Sequence, residues 1–146
     1  IKDFVETVYE DEWTNPVEIN HGDTHIAFSP SFIFNNSFNF NYNNFDLSLS
    51  TQYVSKQYMT NAEYEDQVLD AYCVSNLHLG YNFKLPHTKS VRIGFSIYNL
   101  FDEEYENNGY AGGGYYVDGG EKVFYRYSGY AAQAGTNFMG SVSFKF

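Results

Sequence analysis

The sequence predicts an all-β fold, with five to six antiparallel up-and-down strands forming part of a transmembrane β-barrel. Three observations carry that expectation. Apolar and polar residues alternate along several stretches of roughly ten residues, the period of a strand whose two faces differ. From Ile26 onward the connections run short, long, short, long, which in an up-and-down sheet puts tight turns at one end and large loops at the other. Tyr, Phe and Trp make up 21% of the 146 residues, while good helix formers are sparse, so composition favours strands and turns.

In chain order, residues 3–9 have strand character in Phe4, Val5, Val8 and Tyr9 without clean alternation. Residues 10–24 are acidic, contain Pro16 and Gly22, and read as a long polar loop. Along 26–42, Ile26, Phe28, Phe32, Phe34, Phe38, Phe40 and Tyr42 share one parity against mostly Ser and Asn, with an irregularity expected at Pro30. Asn43 and Asn44 make a tight turn. Strand 45–59 sets Phe45, Leu47, Leu49, Thr51 and Tyr53 against Asp46, Ser48, Ser50 and Gln52. Residues 60–70 form an acidic loop with room for one helical turn. Strand 71–83 sets Leu77, Leu79, Tyr81 and Phe83 against Asn76, His78, Gly80 and Asn82. A short turn centred on Pro86 leads to strand 91–101, where Val91, Ile93, Phe95 and Ile97 alternate with Arg92, Gly94 and Ser96. Residues 102–135 are a long Gly- and Tyr-rich segment. The closing strand, 136–146, carries Phe138, Val142, Phe144 and Phe146 on one side, interrupted only by Gly140.

Those rows select lipid over water. Phe, Leu, Ile and Val occupy mid-strand, and Tyr42, Tyr53 and Tyr81 lie towards the ends, matching an apolar band edged by aromatic girdles. The opposite rows are Ser, Asn, Gln, Gly and His, whereas a soluble sandwich puts more Lys and Glu on its exposed face. No stretch approaches the roughly 20 apolar residues of a spanning helix, but a spanning strand needs only about 9 to 11. Five or six strands do not close a barrel, for which about eight is the minimum. Further strands are therefore expected. The chain begins at Ile1 without a signal segment, so it reads as a processed product or a piece of a longer polypeptide, and the piece is the expectation.

The net charge of −10, with eight Lys and Arg, argues against a nucleic-acid partner, since neutralising phosphates requires clustered cations. The single Cys73 offers neither an internal disulfide nor a metal or redox pair. Nothing resembles a nucleophile with its base, a phosphate loop or a paired-carboxylate site, so no enzyme activity and no cofactor are expected. Glu63, Glu65 and Asp66, like Asp102, Glu103, Glu104 and Glu106, lack an EF-hand spacing and read as solvated loop charge. His21 and His25 stand at a helical spacing in a loop and strand context, a poor match to haem iron. No metal is expected.

The run IYNLFDEEYENNGY (residues 97–110), the Tyr- and Gly-rich stretch after it, the closing YAAQAGTNFMGSVSFKF (130–146) and GDTHIAFSPSFIFNN (22–36) resemble the C-terminal end of TonB-dependent outer-membrane receptors, in the form found in Bacteroides-type bacteria. The resemblance spans nearly all of residues 1–146. It implies a bacterial outer-membrane location and a barrel of twenty-two strands around an N-terminal plug, neither plug nor earlier strands being present here. It also implies import of scarce ligands of the siderophore, haem or cobalamin class. The partners implied are outer-membrane lipid, the remaining strands and plug, the TonB complex, and the barrel assembly machinery. Asn99, Leu100, Phe101, Asp102 and Tyr105 match the family's motif. Physically they read as a strand end that turns, with Asn99 and Asp102 bonding backbone and Phe101 and Tyr105 anchored in the girdle. Phe144 and Phe146 match the pattern attributed to assembly recognition.

Ligand contact is expected in residues 109–135, where Tyr110, Tyr115, Tyr116, Tyr125, Tyr127 and Tyr130 offer stacking faces with hydroxyl tips. A long loop folded on its own aromatics is the structural alternative. Two other functional classes fit the same residues. One is a soluble aromatic-rich β binding module for carbohydrate, with these tyrosines and Trp13 as platforms. The other is an independently made piece that assembles with other chains for a structural or adhesive role.

Overall fold

The structure, a computed structural model, describes residues 1–9 and 16–146. Trp13 and most of the acidic stretch around it lie outside the described residues. Among the described residues the chain is all β: β1 (Phe4–Tyr9), β2 (Pro16–Gly22), β3 (Ile33–Tyr42), β4 (Phe45–Val54), β5 (Gln57–Tyr58), β6 (Val68–Leu69), β7 (Tyr72–Phe83), β8 (Ser90–Tyr98), β9 (Glu106–Asp118), β10 (Glu121–Ala132) and β11 (Asn137–Lys145). The chain divides into two compact units, one of Phe32–Val54, Tyr72–Tyr105 and Gln133–Phe146, the other of Ile1–Ser31, Ser55–Ala71 and Glu106–Ala132.

The first unit is one five-stranded sheet in the order β11-β8-β7-β4-β3, antiparallel throughout. Because side chains alternate across a strand, its register turns sequence parity into continuous rows. Phe38, Leu49, Leu77, Ile97 and Phe138 lie across from one another in one row. Tyr42, Phe45, Tyr81, Ile93 and Val142 form another. Between them run Phe40, Leu47, Leu79, Phe95 and Gly140, where the missing side chain leaves Phe95 to stack on Phe138 with centroids 6.1 Å apart. This face is open: Phe32, Phe34, Phe95 and Phe144 are 56%, 48%, 41% and 57% exposed. Where hydroxyls enter it, Thr51 and Ser75 satisfy each other across the strands at 2.8 Å.

The other face is polar. Asp46 and Arg92 make a bidentate pair at 2.6 and 2.7 Å, which runs diagonally over Gly80, the partner of Asp46 on one side and of Gly94 on the other. His78 and Ser96 are in hydrogen-bond contact at 2.9 Å. At one end of this face Val54, Tyr72 and Val74 form a small core against which Tyr105 packs.

The short connections, 43–44 and 84–89, join strands at one end of the sheet, and the long ones depart from the other. Asn43 takes a positive φ of 52° in the tight turn. The C-terminus is fixed at the short-turn end, where the Lys89 backbone N–H donates to the Lys145 carbonyl at 2.7 Å and Lys89 Nζ to the Phe146 carbonyl at 2.6 Å.

Among the described residues the second unit contains three antiparallel strand pairs, β1–β2, β5–β6 and β9–β10. Several elements differ from the sequence expectation. Residues 16–22 are not loop but β2, paired to β1 from Tyr9↔Pro16 to Val5↔Asn20. Residues 60–70 hold turns rather than a helical turn, and the tyrosine-rich stretch is a long hairpin. The expected strand from Ile26 begins only at Ile33, because Phe28 has a positive φ of 55° and bonds its N–H to the Tyr58 carbonyl outside any ladder. Pro30 then removes a donor.

Candidate functional site

The hairpin β9–β10 turns at Gly119 and Gly120, both at positive φ (58° and 89°), as a two-residue turn of the primed type demands. Its register places Tyr110, Tyr116, Tyr125 and Tyr127 on one face and pairs three of them with glycines: Tyr110 with Gly129, Tyr127 with Gly112, Tyr125 with Gly114. Each phenol end fills the space over its glycine. A Cβ at 129 would meet Tyr110 at 2.4 Å, one at 112 would meet the Tyr127 hydroxyl at 2.6 Å, and one at 114 the Tyr125 hydroxyl at 3.2 Å. Rings crossing opposed glycines restore the packing that glycine gives up in a strand. Tyr125 and Tyr127 lie nearly parallel with centroids 6.3 Å apart, and Tyr116 meets Tyr125 edge-on at 5.9 Å. All four are exposed, from 43% at Tyr125 to 67% at Tyr110.

Tyr115 and Tyr130 take the opposite parity. Tyr115 packs against Phe124 at 5.1 Å, and the Tyr130 hydroxyl donates to the Asp66 carbonyl at 3.4 Å. The six expected contact tyrosines thus divide into four that share a surface and two that hold the hairpin from behind.

The support behind the hairpin comes from residues 59–69. Gln67, 1% exposed, donates its amide to the Gly112 carbonyl at 2.8 Å and the Tyr127 carbonyl at 3.1 Å, bridging both strands below the tyrosine face. Tyr64 packs against Phe124 at 6.2 Å and His21 at 5.6 Å, with the Arg126 guanidinium over its ring at 4.6 Å. Its hydroxyl donates to Glu6 at 2.9 Å, and burial followed by that bond pushes the phenol up to about 12. Arg126 also donates to Asp66 at 2.8 Å and holds that carboxyl below its ordinary value. Gln67, Tyr64 and Arg126 were not legible as site residues. The one available signal is that Gln67 is uncharged within an acidic run.

The acidic cluster on 63–66 has partners. Glu65 accepts from Lys56 at 2.8 Å and Tyr58 at 2.7 Å, which lower its carboxyl, Lys56 most. Glu63 accepts from the His25 backbone and contacts its ring at 2.5 Å, and the backbone bond first of all lowers it. His21 is held by Glu6 at 3.0 Å. Among the described residues no group of metal-ligating side chains converges.

The motif residues form a turn lock in the sheet unit. Asn99 is 4% exposed at φ 50°. Its amide donates to the carbonyls of Glu103 at 2.9 Å and Ala134 at 3.2 Å, its Oδ1 accepts from the Glu103 N–H at 2.9 Å, and its carbonyl accepts from Thr136 Oγ1 at 2.6 Å. Asp102 accepts from the Thr136 N–H at 2.7 Å. Leu100 donates its N–H to the Ser75 carbonyl at 2.7 Å. Phe101 is 73% exposed. Tyr105 stacks on Tyr72 at 4.4 Å, on the polar-face side, because Tyr72 has the parity of Val74 and Asn76. At the closing strand Phe144 pairs with Val91, and Phe146 is 77% exposed. No family model, curated protein or solved structure matches the chain, so the functional reading rests on the geometry of these two units.

Proposed function

We propose that the chain builds the C-terminal part of the wall of a bacterial outer-membrane barrel of the TonB-dependent importer class. The tyrosine face of β9–β10 contacts the imported ligand, of the siderophore, haem or cobalamin class. The observation that carries this reading is the open apolar face of the five-stranded sheet, five strands wide and backed by a polar face. In water such a face is an aggregation surface, and in hydrocarbon it is the face that lipid solvates. From Phe45 to Tyr53 the alternating parity runs nine residues, eight rises of roughly 26 Å in all at an ordinary strand rise, close to the height of a barrel's apolar band.

The outer edges of β3 and β11 carry no further strand among the described residues. In hydrocarbon each unpaired backbone group costs several kcal/mol, so the remaining strands of the receptor complete the wall around its plug. Phe144 and Phe146 are presented to the assembly machinery at the short-turn end, the periplasmic side of such barrels. The plug supplies the contact to the TonB complex.

Orientation in the membrane is the test. In a Cys73→Ser background, Asp118→Cys at the hairpin tip and Asn44→Cys at the short turn are expressed in a Gram-negative host. A membrane-impermeant maleimide reacts with Asp118→Cys on intact cells and with Asn44→Cys only after the cells are broken. Equal reaction at both positions, or recovery of the protein in the soluble fraction, contradicts the proposal.

A further inference from the structure

We propose that the tyrosine face of β9–β10 receives an extended basic peptide, with alternate lysine or arginine side chains lying over successive rings. This rests on the reading of that face as the ligand-contact surface and gives the surface a second class of ligand beside the siderophore, haem or cobalamin class. The positions on this face contain no Lys or Arg. Running to the tip its side chains are Tyr110, Tyr127, Tyr125, then Tyr116 opposite Val123, followed by the opposed pair Asp118 and Glu121. Ring faces carry negative quadrupole potential that attracts cations. Two carboxylates at the tip and a chain charge of −10 add to that attraction.

The spacing selects the shape of the occupant. Tyr125 and Tyr127 have centroids 6.3 Å apart, and alternate side chains of an extended peptide are about 6.6 Å apart. A cation at every second position therefore finds a ring at every step. The same chemistry is used inside this unit, where Arg126 lies over Tyr64 at 4.6 Å and Lys56 over Tyr58 at 4.8 Å. The glycines opposite Tyr110, Tyr125 and Tyr127 keep the rings low across the hairpin, which leaves a shallow surface suited to an extended chain.

The test measures binding of the peptide KSKSKSK to the full chain in neutral detergent micelles by calorimetry, beside the same peptide with every lysine acetylated. Expected is binding by the charged peptide alone, weakened about tenfold or more in Tyr125→Leu/Tyr127→Leu, the loss of two cation–π contacts. Tyr115→Phe, on the other face, leaves it unchanged. Should the double leucine variant not fold, Asp118→Asn/Glu121→Gln, which alters only exposed carboxylates, weakens binding severalfold. Equal binding of the acetylated peptide overturns the proposal in favour of a neutral ligand such as a saccharide. Binding that survives both double variants overturns it in favour of unspecific attraction to net charge. Maleimide labelling at 118 and 44 needs no ligand, so failure here is distinguishable from failure of the barrel reading.

Discussion

In the five-stranded sheet Phe38, Phe95 and Phe138 stand on an open face across from the aliphatic Leu49, Leu79 and Ile97. In the hairpin unit the aromatic rings Tyr58 and Tyr64 are tied through their hydroxyls to Glu65 and Glu6, and cations cover their faces. One composition thus answers two surroundings. Phenylalanine serves where nothing polar is available, and tyrosine serves where a hydroxyl finds a partner and a ring finds a cation. On the sheet's apolar face Thr51 and Ser75 satisfy each other across the strands.

The largest effect that separates the two units is a charge on the apolar face. Phe95→Arg is expected to cost about 2–4 kcal/mol of stability in lipid, while Ser96→Arg, one residue along on the polar face, costs little. Denaturant unfolding from liposomes measures both, and equal costs would erase the distinction between faces. Next is Asn99→Ala, which strands two backbone carbonyls and one N–H and puts alanine at positive φ. The expected loss is about 2–3 kcal/mol, read as faster hydrogen exchange around residues 98–105. Gln67→Ala is expected to remove about 1–2 kcal/mol from the hairpin unit alone. Exchange of the β9 and β10 amides then rises roughly tenfold while the sheet is unaffected.

The smallest effect is one of pH. Because the Tyr64 phenol is raised to about 12 in the folded protein, the folded state holds its proton more tightly than the unfolded one. Its contribution to stability is fully present below the ordinary value near 10 and is lost as pH rises through about 12. Tyr64→Phe removes that alkaline slope, as denaturant midpoints between pH 9 and 12 can show.

The sheet was legible because its parity is strict. Phe45, Leu47 and Leu49 against Asp46, Ser48 and Ser50 leave one assignment, and the pairing of the strands at 91–101 and 136–146 is that of β8 with β11. The hairpin unit was less legible because its strands are built from residues that also make loops. Glycines at 112, 113 and 114 look like flexibility until the cross-strand rings of Tyr127, Phe124 and Tyr125 cover them. The turn signal was nonetheless present, since Asp118-Gly119-Gly120 between Val117 and Val123 is a hairpin pattern. β2 was hidden by Glu18 and Asn20, although Val17 and Ile19 alternate with them. Gln67 was out of reach, because its role depends on carbonyls at 112 and 127 that only the fold brings within bonding distance.

The most direct measurement is a nitroxide scan along β8 in liposomes, one residue at a time from Arg92 to Ile97, recording relaxation by oxygen and by a water-soluble nickel chelate. The account predicts a period of two, with oxygen dominating at Ile93, Phe95 and Ile97 and nickel at Arg92, Gly94 and Ser96. Access to nickel at all six positions, or no alternation between them, would contradict it.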